Sequence, residues 1–186
     1  MASMPSHLSD SLGVVLIGHG APATDCPPQF VGELMSLEWR RGGPGGGHGA
    51  AHLEGRAAEL DATIRDWPRR PDNDPYKTGL ERLAQRLRPL LPTRRFAVGY
   101  NEFCRPSIPE AIEQVIREGA TRILVIPTML TPGGVHSEVD IPRTLEAVRR
   151  AHPTASIQYL WPFDLQEVAT LLAAHVQRAA QHPVSP

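Results

Sequence analysis

No stretch of this sequence approaches the roughly 20 consecutive apolar residues that a membrane-spanning helix requires. Met1–Asp10 has neither the basic start nor the apolar middle of a secretory signal. A basic excess is missing as well: 19 Lys+Arg stand against 20 Asp+Glu, a formal charge of −1. That balance argues against a generic nucleic-acid binder, whose affinity comes from releasing counterions. Cysteine is scarce. Cys26 and Cys104 make neither a disulfide framework nor a CxxC metal site, and both read as small buried hydrophobes. The paired arginines (Arg40-Arg41, Arg69-Arg70, Arg94-Arg95, Arg149-Arg150) read mostly as solvated surface. What remains is a soluble, cytoplasmic protein with no nucleic-acid or membrane partner. Its 186 residues suffice for one domain with a real core.

Short apolar runs alternate with amphipathic patterns. "GVVLIGHG" (Gly13–Gly20), "RRFAVGYNEF" (Arg94–Phe103), "TRILVIPTML" (Thr121–Leu130) and "ASIQYLWPF" (Ala155–Phe163) read as strands. Helical periodicity lies between and after them: Leu80, Leu83, Leu87, Leu90 and Leu91, then Ile108, Ala111, Ile112, Val115 and Ile116, stopping at Gly119. Further helices open at Asp140, with Pro142 in the first turn, and at Asp164; Ser107 and Asp140 both read as helix caps. The fold class is therefore α/β, a four-stranded parallel sheet flanked by helices. One segment breaks the rhythm. From Pro27 to Asn73, two amphipathic stretches flank "GGPGGGHGAA" and predict a helical hairpin inserted after strand one, packed by Trp39 and Trp67. Its glycine-rich tip lacks a following GK[ST], so no phosphate loop is formed, and a flavodoxin-like nucleotide or flavin binder is disfavoured. His48 and His52 read as loop histidines beside that turn. The expected organisation is a single domain over 11–182 with the insertion at 27–73, and disordered tails at 1–10 and 183–186.

In a parallel sheet the loops after the strands emerge on one edge, where ligands bind. His19 follows strand one, between Gly18 and Gly20. Asn101, Glu102, Cys104 and Arg105 follow strand two. Strand three is followed by "TPGGVHSEVDIP", which carries Gly133, Gly134, His136, Glu138 and Asp140; Pro162 and Asp164 follow strand four. Two imidazoles and a carboxylate thus reach one edge from three strands. Neutral imidazoles with an acid suit Co²⁺, Ni²⁺, Fe²⁺ or Zn²⁺ and leave coordination positions open. His19 with Glu102 also fits an acid–base couple for proton transfer. The flanking glycines let a ligand approach backbone and imidazole together.

"VVLIGHG", "NEFCRPSIPEAIEQVIREGATRILVIPTML" and "TPGGVHSEVDIP", in that order, resemble the small class II tetrapyrrole chelatases, the sirohydrochlorin cobalto- and ferrochelatases of CbiX and SirB type. The resemblance implies insertion of Co, Fe or Ni into a tetrapyrrole such as sirohydrochlorin, with the metal as substrate and no cofactor retained. It implies His19 and His136 as the metal-binding and catalytic pair, with Glu102 as the acid that helps bind metal or takes ring protons. Gly18, Gly20, Asn101, Arg105, Gly133 and Gly134 are the candidate substrate contacts, and Trp161 lines either pocket or core. Larger members carry two such lobes, so a homodimer is expected here. Where the family usually has Ser after the G-H-G turn, Ala21 follows, and the segment 27–73 has no counterpart in the smallest members. The alternative of a different class is a metal or tetrapyrrole carrier with the same pocket and no turnover, which would not need Glu102 as proton acceptor.

Overall fold

The computed structural model describes residues 11–42 and 50–181. Strand β1 (Leu12–Gly18) is buried over its whole length, as an apolar run with both faces covered must be. It lies at the centre of a four-stranded, wholly parallel sheet with β2 (Arg95–Tyr100), β3 (Arg122–Pro127) and β4 (Ser156–Tyr159). The strand order is β2-β1-β3-β4. Each strand starts close to where the apolar run predicts and ends earlier, because the glycine- and proline-bearing tails are loops. The β2 run stops at Tyr100, since Phe103 adopts φ 59°, which breaks any ladder.

Between β1 and β2 come α1 (Pro28–Gly42), α2 (Ala50–Arg65) and α3 (Pro75–Leu87). Helix α4 (Ile108–Arg117) joins β2 to β3, α5 (Ile141–Ala151) joins β3 to β4, and α6 (Leu165–Gln181) follows β4. One sheet face, through Val15, Ile17, Ile123 and Val125, packs on Ile108, Ala111, Ile112 and Val115 of α4 and Ile141, Leu145 and Val148 of α5. The other, through Val14, Leu16, Phe96 and Tyr100, packs on Leu80 and Ala84 of α3. This is the period-two alternation of a strand serving two helical layers. Ser107 and Glu110 form a reciprocal capping box that starts α4. Asp164 Oδ1 accepts from the Gln166 amide at 2.7 Å and starts α6.

The inserted α1–α2 hairpin has a core of its own. Leu34, Leu37, Ala57, Leu60 and Ile64 are buried together with Ala23, Cys26 and, from the loop after β2, Phe103. Trp67 packs against this cluster and donates its indole N–H to Asp25. Trp39 does not join it and is 84% exposed. It sits two residues beyond Leu37, about 200° around the helix from the buried stripe. Arg69 also departs from the expectation of a solvated arginine. Its guanidinium is mostly buried and pairs at 2.7 Å with Asp74, which is 1% exposed. His7, His48 and His182 and both tails lie outside the described residues, as does the side chain of His52.

Candidate metal centre

The three loops that leave β1, β2 and β3 meet at the C-terminal edge of the sheet. The amides of Asn101 and Glu102 donate to the carbonyls of Gly18 (2.9 Å) and His19 (2.8 Å), which laces the β2 loop to the β1 turn. Gly20 permits the contact: it has φ 95°, and a Cβ there would lie 1.9 Å from the Glu102 carbonyl oxygen. The His19 amide donates to the Tyr76 hydroxyl at 2.7 Å. On the third loop, Gly133 N–H donates to Glu138 Oε1 at 2.6 Å and the Glu138 amide donates to the Gly134 carbonyl at 3.0 Å. These bonds fold His136–Asp140 into a single π-helical turn leading directly into α5, and such turns recur at functional sites.

The outcome is an imidazole pair. His19 Nε2 and His136 Nε2 lie 3.0 Å apart, with the rings nearly perpendicular. Glu102 reaches both rings, with Oε2 3.9 Å from His19 Nε2 and Oε1 3.6 Å from His136 Nδ1. One ligand atom from each of His19, Glu102 and His136 lies within 4.8 Å of the others, a clustering of donors found nowhere else among the described residues. All three side chains are partly exposed, at 40%, 26% and 32%, so an incoming cation has access.

The outer nitrogens determine what the inner ones can do. His19 Nδ1 donates to the Gly20 carbonyl at 2.7 Å, and His136 Nδ1 donates to Asp140 Oδ2 at 2.8 Å. The Gly20 carbonyl can only accept, which puts the His19 proton on Nδ1. At His136 the Asp140 carboxylate at 2.8 Å outweighs the Asn101 amide nitrogen at 3.1 Å from the same atom and favours the same tautomer. Both Nε2 atoms therefore present lone pairs to each other. Two lone pairs at 3.0 Å repel unless something positive lies between them. The carboxylates of Glu102 and Asp140 stand beside the same pair, and their negative field draws cations to it.

Residues 72–181 match the CbiX family, well over half of the chain. The chain belongs to the CbiX family. Among curated relatives of this CbiX chain, the sirohydrochlorin cobaltochelatase of Methanocaldococcus jannaschii is 40% identical over 81 residues, covering 42% of this chain and 54% of the relative. The sirohydrochlorin ferrochelatase of Priestia megaterium is 33% identical over 70 residues, covering 38% and 26%. The chain thus spans about half, or less, of the length of these relatives. Among solved structures, a putative cobalamin biosynthesis CbiX protein from Marinobacter aquaeolei superposes with a TM-score of 0.52 at 14% identity, covering 91% of this chain and 98% of that one. That likeness establishes the shared α/β fold.

Within this CbiX fold the expected residues separate into groups. His19, Glu102 and His136 come together, and Asn101 joins them, its side-chain amide 3.1 Å from His136 Nδ1. Gly18, Gly20, Gly133 and Gly134 sit beside the pair, with backbone groups already used to build it. Arg105 is committed elsewhere, paired with Asp66 and Glu110. Cys26 and Cys104 are both buried, and burial pushes both thiols above the ordinary cysteine range. A cavity of about 310 Å³ opens next to Asn101, between Arg65, Arg105, Ile108 and Thr144. A larger one, about 1080 Å³, lies at the opposite end of the sheet among Arg88, Thr93, Arg94 and Arg95, away from the histidines.

Asp140 corrects the sequence reading. It occupies the residue before α5, but its backbone is helical (φ −72°, ψ −49°) and its side chain makes no capping bond. The π-turn ahead of it already supplies the helix with carbonyl partners, so no amide there needs a cap. Its carboxylate turns back four residues to His136 instead. The spacing H-x-x-x-D was the available signal, since residues four apart share a helical face.

Proposed function

We propose that this chain is a chelatase that inserts a divalent metal ion, Co, Fe or Ni, into a tetrapyrrole such as sirohydrochlorin. The observation that carries the reading is the pair of converging imidazole lone pairs with Glu102 beside them. The names of the relatives supply the substrate class, sirohydrochlorin in each of the two described above. The metal binds to His19 Nε2, His136 Nε2 and a Glu102 oxygen, and three protein donors leave open positions for ring nitrogens. The macrocycle enters with two pyrrole N–H groups and leaves as a dianion around M²⁺, so two protons are released. Glu102 accepts one as its metal bond breaks, and the vacated imidazoles accept the other. The metal leaves in the product and no cofactor is retained. Asn101 and the glycines at 18, 20, 133 and 134 form the wall that the flat ring approaches; Arg105 meets a ring carboxylate only by giving up one of its two acids.

Because a proton and a cation compete for the same Nε2 lone pairs, insertion slows as the solution is acidified. Leu165, Leu171, Leu172 and Val176 of α6 are all more than half exposed. This exposed apolar stripe supports a homodimer with the ring held between subunits, and the proposed compartment is the cytoplasm. No helix among the described residues is long and apolar enough to cross a membrane. The deciding experiment mixes purified protein, sirohydrochlorin and each of Co²⁺, Ni²⁺ and Fe²⁺ at neutral pH and follows the ring absorbance. A spectrum that changes no faster than in the protein-free control removes the reading. Sedimentation showing only monomer at working concentration removes the shared pocket.

A further inference from the structure

The inserted hairpin precedes the segment that matches the CbiX family, yet it grips the loop that carries Glu102. Arg65, at the end of α2, points its guanidinium at that loop: Nη2 donates to the Asn101 carbonyl and Nη1 to the Cys104 carbonyl, each at 3.0 Å. Its Nε is held by Asp61 at 2.7 Å, so the fork is fixed before it reaches the loop. Arg69 donates to the Phe103 carbonyl and, at 2.7 Å, to the Ala21 carbonyl, with Asp74 as its counter-ion. The remaining carbonyl, that of Glu102, accepts from the Cys104 amide. All four carbonyls of residues 101–104 are therefore occupied, three of them by guanidiniums from the insertion and its exit.

The side chain of Phe103 completes the attachment. It is 8% exposed and buried in the core of the hairpin, among Leu34, Leu60 and Ile64. To reach that core the residue adopts φ 59°, a left-handed conformation that an aromatic residue tolerates only where its surroundings over-determine it. The same twist sends two adjacent side chains to different places, Phe103 into the hairpin and Glu102 to the imidazoles. On its other side the loop rests against Gly20, where no Cβ fits.

We propose that the hairpin is a brace rather than a lid, and that Arg65, Arg69 and Phe103 are positioning residues that set where the Glu102 carboxylate stands relative to His19 and His136. Its catalytic consequence rests on the metal-insertion reading, but the mechanical claim does not. The carboxylate is the only donor of the three on a strained loop, and an unbraced loop relaxes away from φ 59° and carries Glu102 with it.

Arg65→Gln in the full chain is the test, because Arg69 belongs to a buried ion pair whose loss threatens folding. Arg56→Gln is the control; it removes ion pairs within the hairpin, to Glu33 and Glu59, and touches nothing on the loop. Amide hydrogen exchange reads the brace directly. The amides of Asn101, Glu102 and Cys104 should exchange about tenfold faster in Arg65→Gln, with β1 unchanged, and at the native rate in Arg56→Gln. Co²⁺ titration, read by visible absorption, should show about tenfold weaker binding in Arg65→Gln alone. If Arg65→Gln does not fold, Phe103→Leu is put through the same two measurements with the same expectation. Unchanged exchange in a folded variant overturns the brace, and faster exchange with native cobalt affinity overturns its role in positioning Glu102. A native protein that takes up no Co²⁺ refutes the metal-insertion reading instead, while exchange still decides the brace.

Discussion

Replacing Asp140 with Asn is the sharpest perturbation of the candidate metal centre, because it is nearly isosteric and changes one property. Asp140 Oδ2 holds the His136 Nδ1 proton at 2.8 Å and so keeps Nε2 as a lone pair facing His19. An Asn amide can present N–H to Nδ1 as readily as it presents oxygen. The tautomer with the proton on Nε2 then becomes available, and that tautomer points N–H where the cation should go. Loss of an outer partner of this kind costs 10–100-fold in metal affinity at well-buried sites. Here the carboxylate side chain is 36% exposed, and water will replace part of its effect. The lower end applies: about tenfold in the Co²⁺ dissociation constant, or ~1.4 kcal/mol. Cobalt d–d absorbance titrated at a fixed pH measures it, with circular dichroism to establish that the fold is intact. Asp140→Ala, which leaves no acceptor, should lose at least as much. Native cobalt affinity in both variants would refute the tautomer argument.

Glu102→Gln should abolish insertion while leaving sirohydrochlorin binding, followed by fluorescence quenching, within about twofold; retained turnover would move the proton acceptor elsewhere. Gly20→Ala adds a left-handed penalty of about 1–2 kcal/mol and a methyl 1.9 Å from the Glu102 carbonyl. It should lower the melting temperature and weaken cobalt binding together, and a variant that melts like the native protein contradicts the interlocked loops. Glu110 lies below the usual carboxylate range: although burial acts to raise it, the Ser107 backbone and side-chain hydrogen bonds and the Arg105 guanidinium prevail. Its contribution is therefore present above the ordinary glutamate value and is lost as pH falls through the lowered one. Glu110→Gln should cost about 1 kcal/mol at pH 7 and flatten the acid limb of the denaturation curve. Cys26 and Cys104, buried and with raised thiol values, should stay unreactive to a thiol reagent in native protein at pH 8 and both react in denaturant.

How much of this was legible in the sequence follows from what each signal depends on. The strands were clear where both faces are buried, because β1 then reads as one unbroken apolar run. The convergence of His19, Glu102 and His136 followed from topology alone, since parallel strands deliver their exit loops to one edge. Strand four was included in that argument but does not join the cluster of three. Arg69 was taken as surface because the dipeptide gives no sign of Asp74 waiting in the fold to pair with it. Asp140 was misread because a helix start and a helical turn have the same local composition, and only the backbone angles distinguish them. Phe103 carries no sequence mark at all; its conformation is imposed by a hairpin core assembled from residues between Ala23 and Ile64, far back along the chain.

The 3.0 Å between the two Nε2 atoms has a stereochemical meaning for any ion bound between them. Two nitrogens each about 2.1 Å from a metal and about 3.0 Å from each other subtend close to a right angle, whereas a tetrahedral centre would spread them to about 3.4 Å. A right angle is the relation of neighbouring vertices of an octahedron, the arrangement in which a hexacoordinate ion keeps three protein donors on one face and offers the opposite face to what comes next. The spacing of this pair therefore suits cations content with six ligands better than those that demand a tetrahedron.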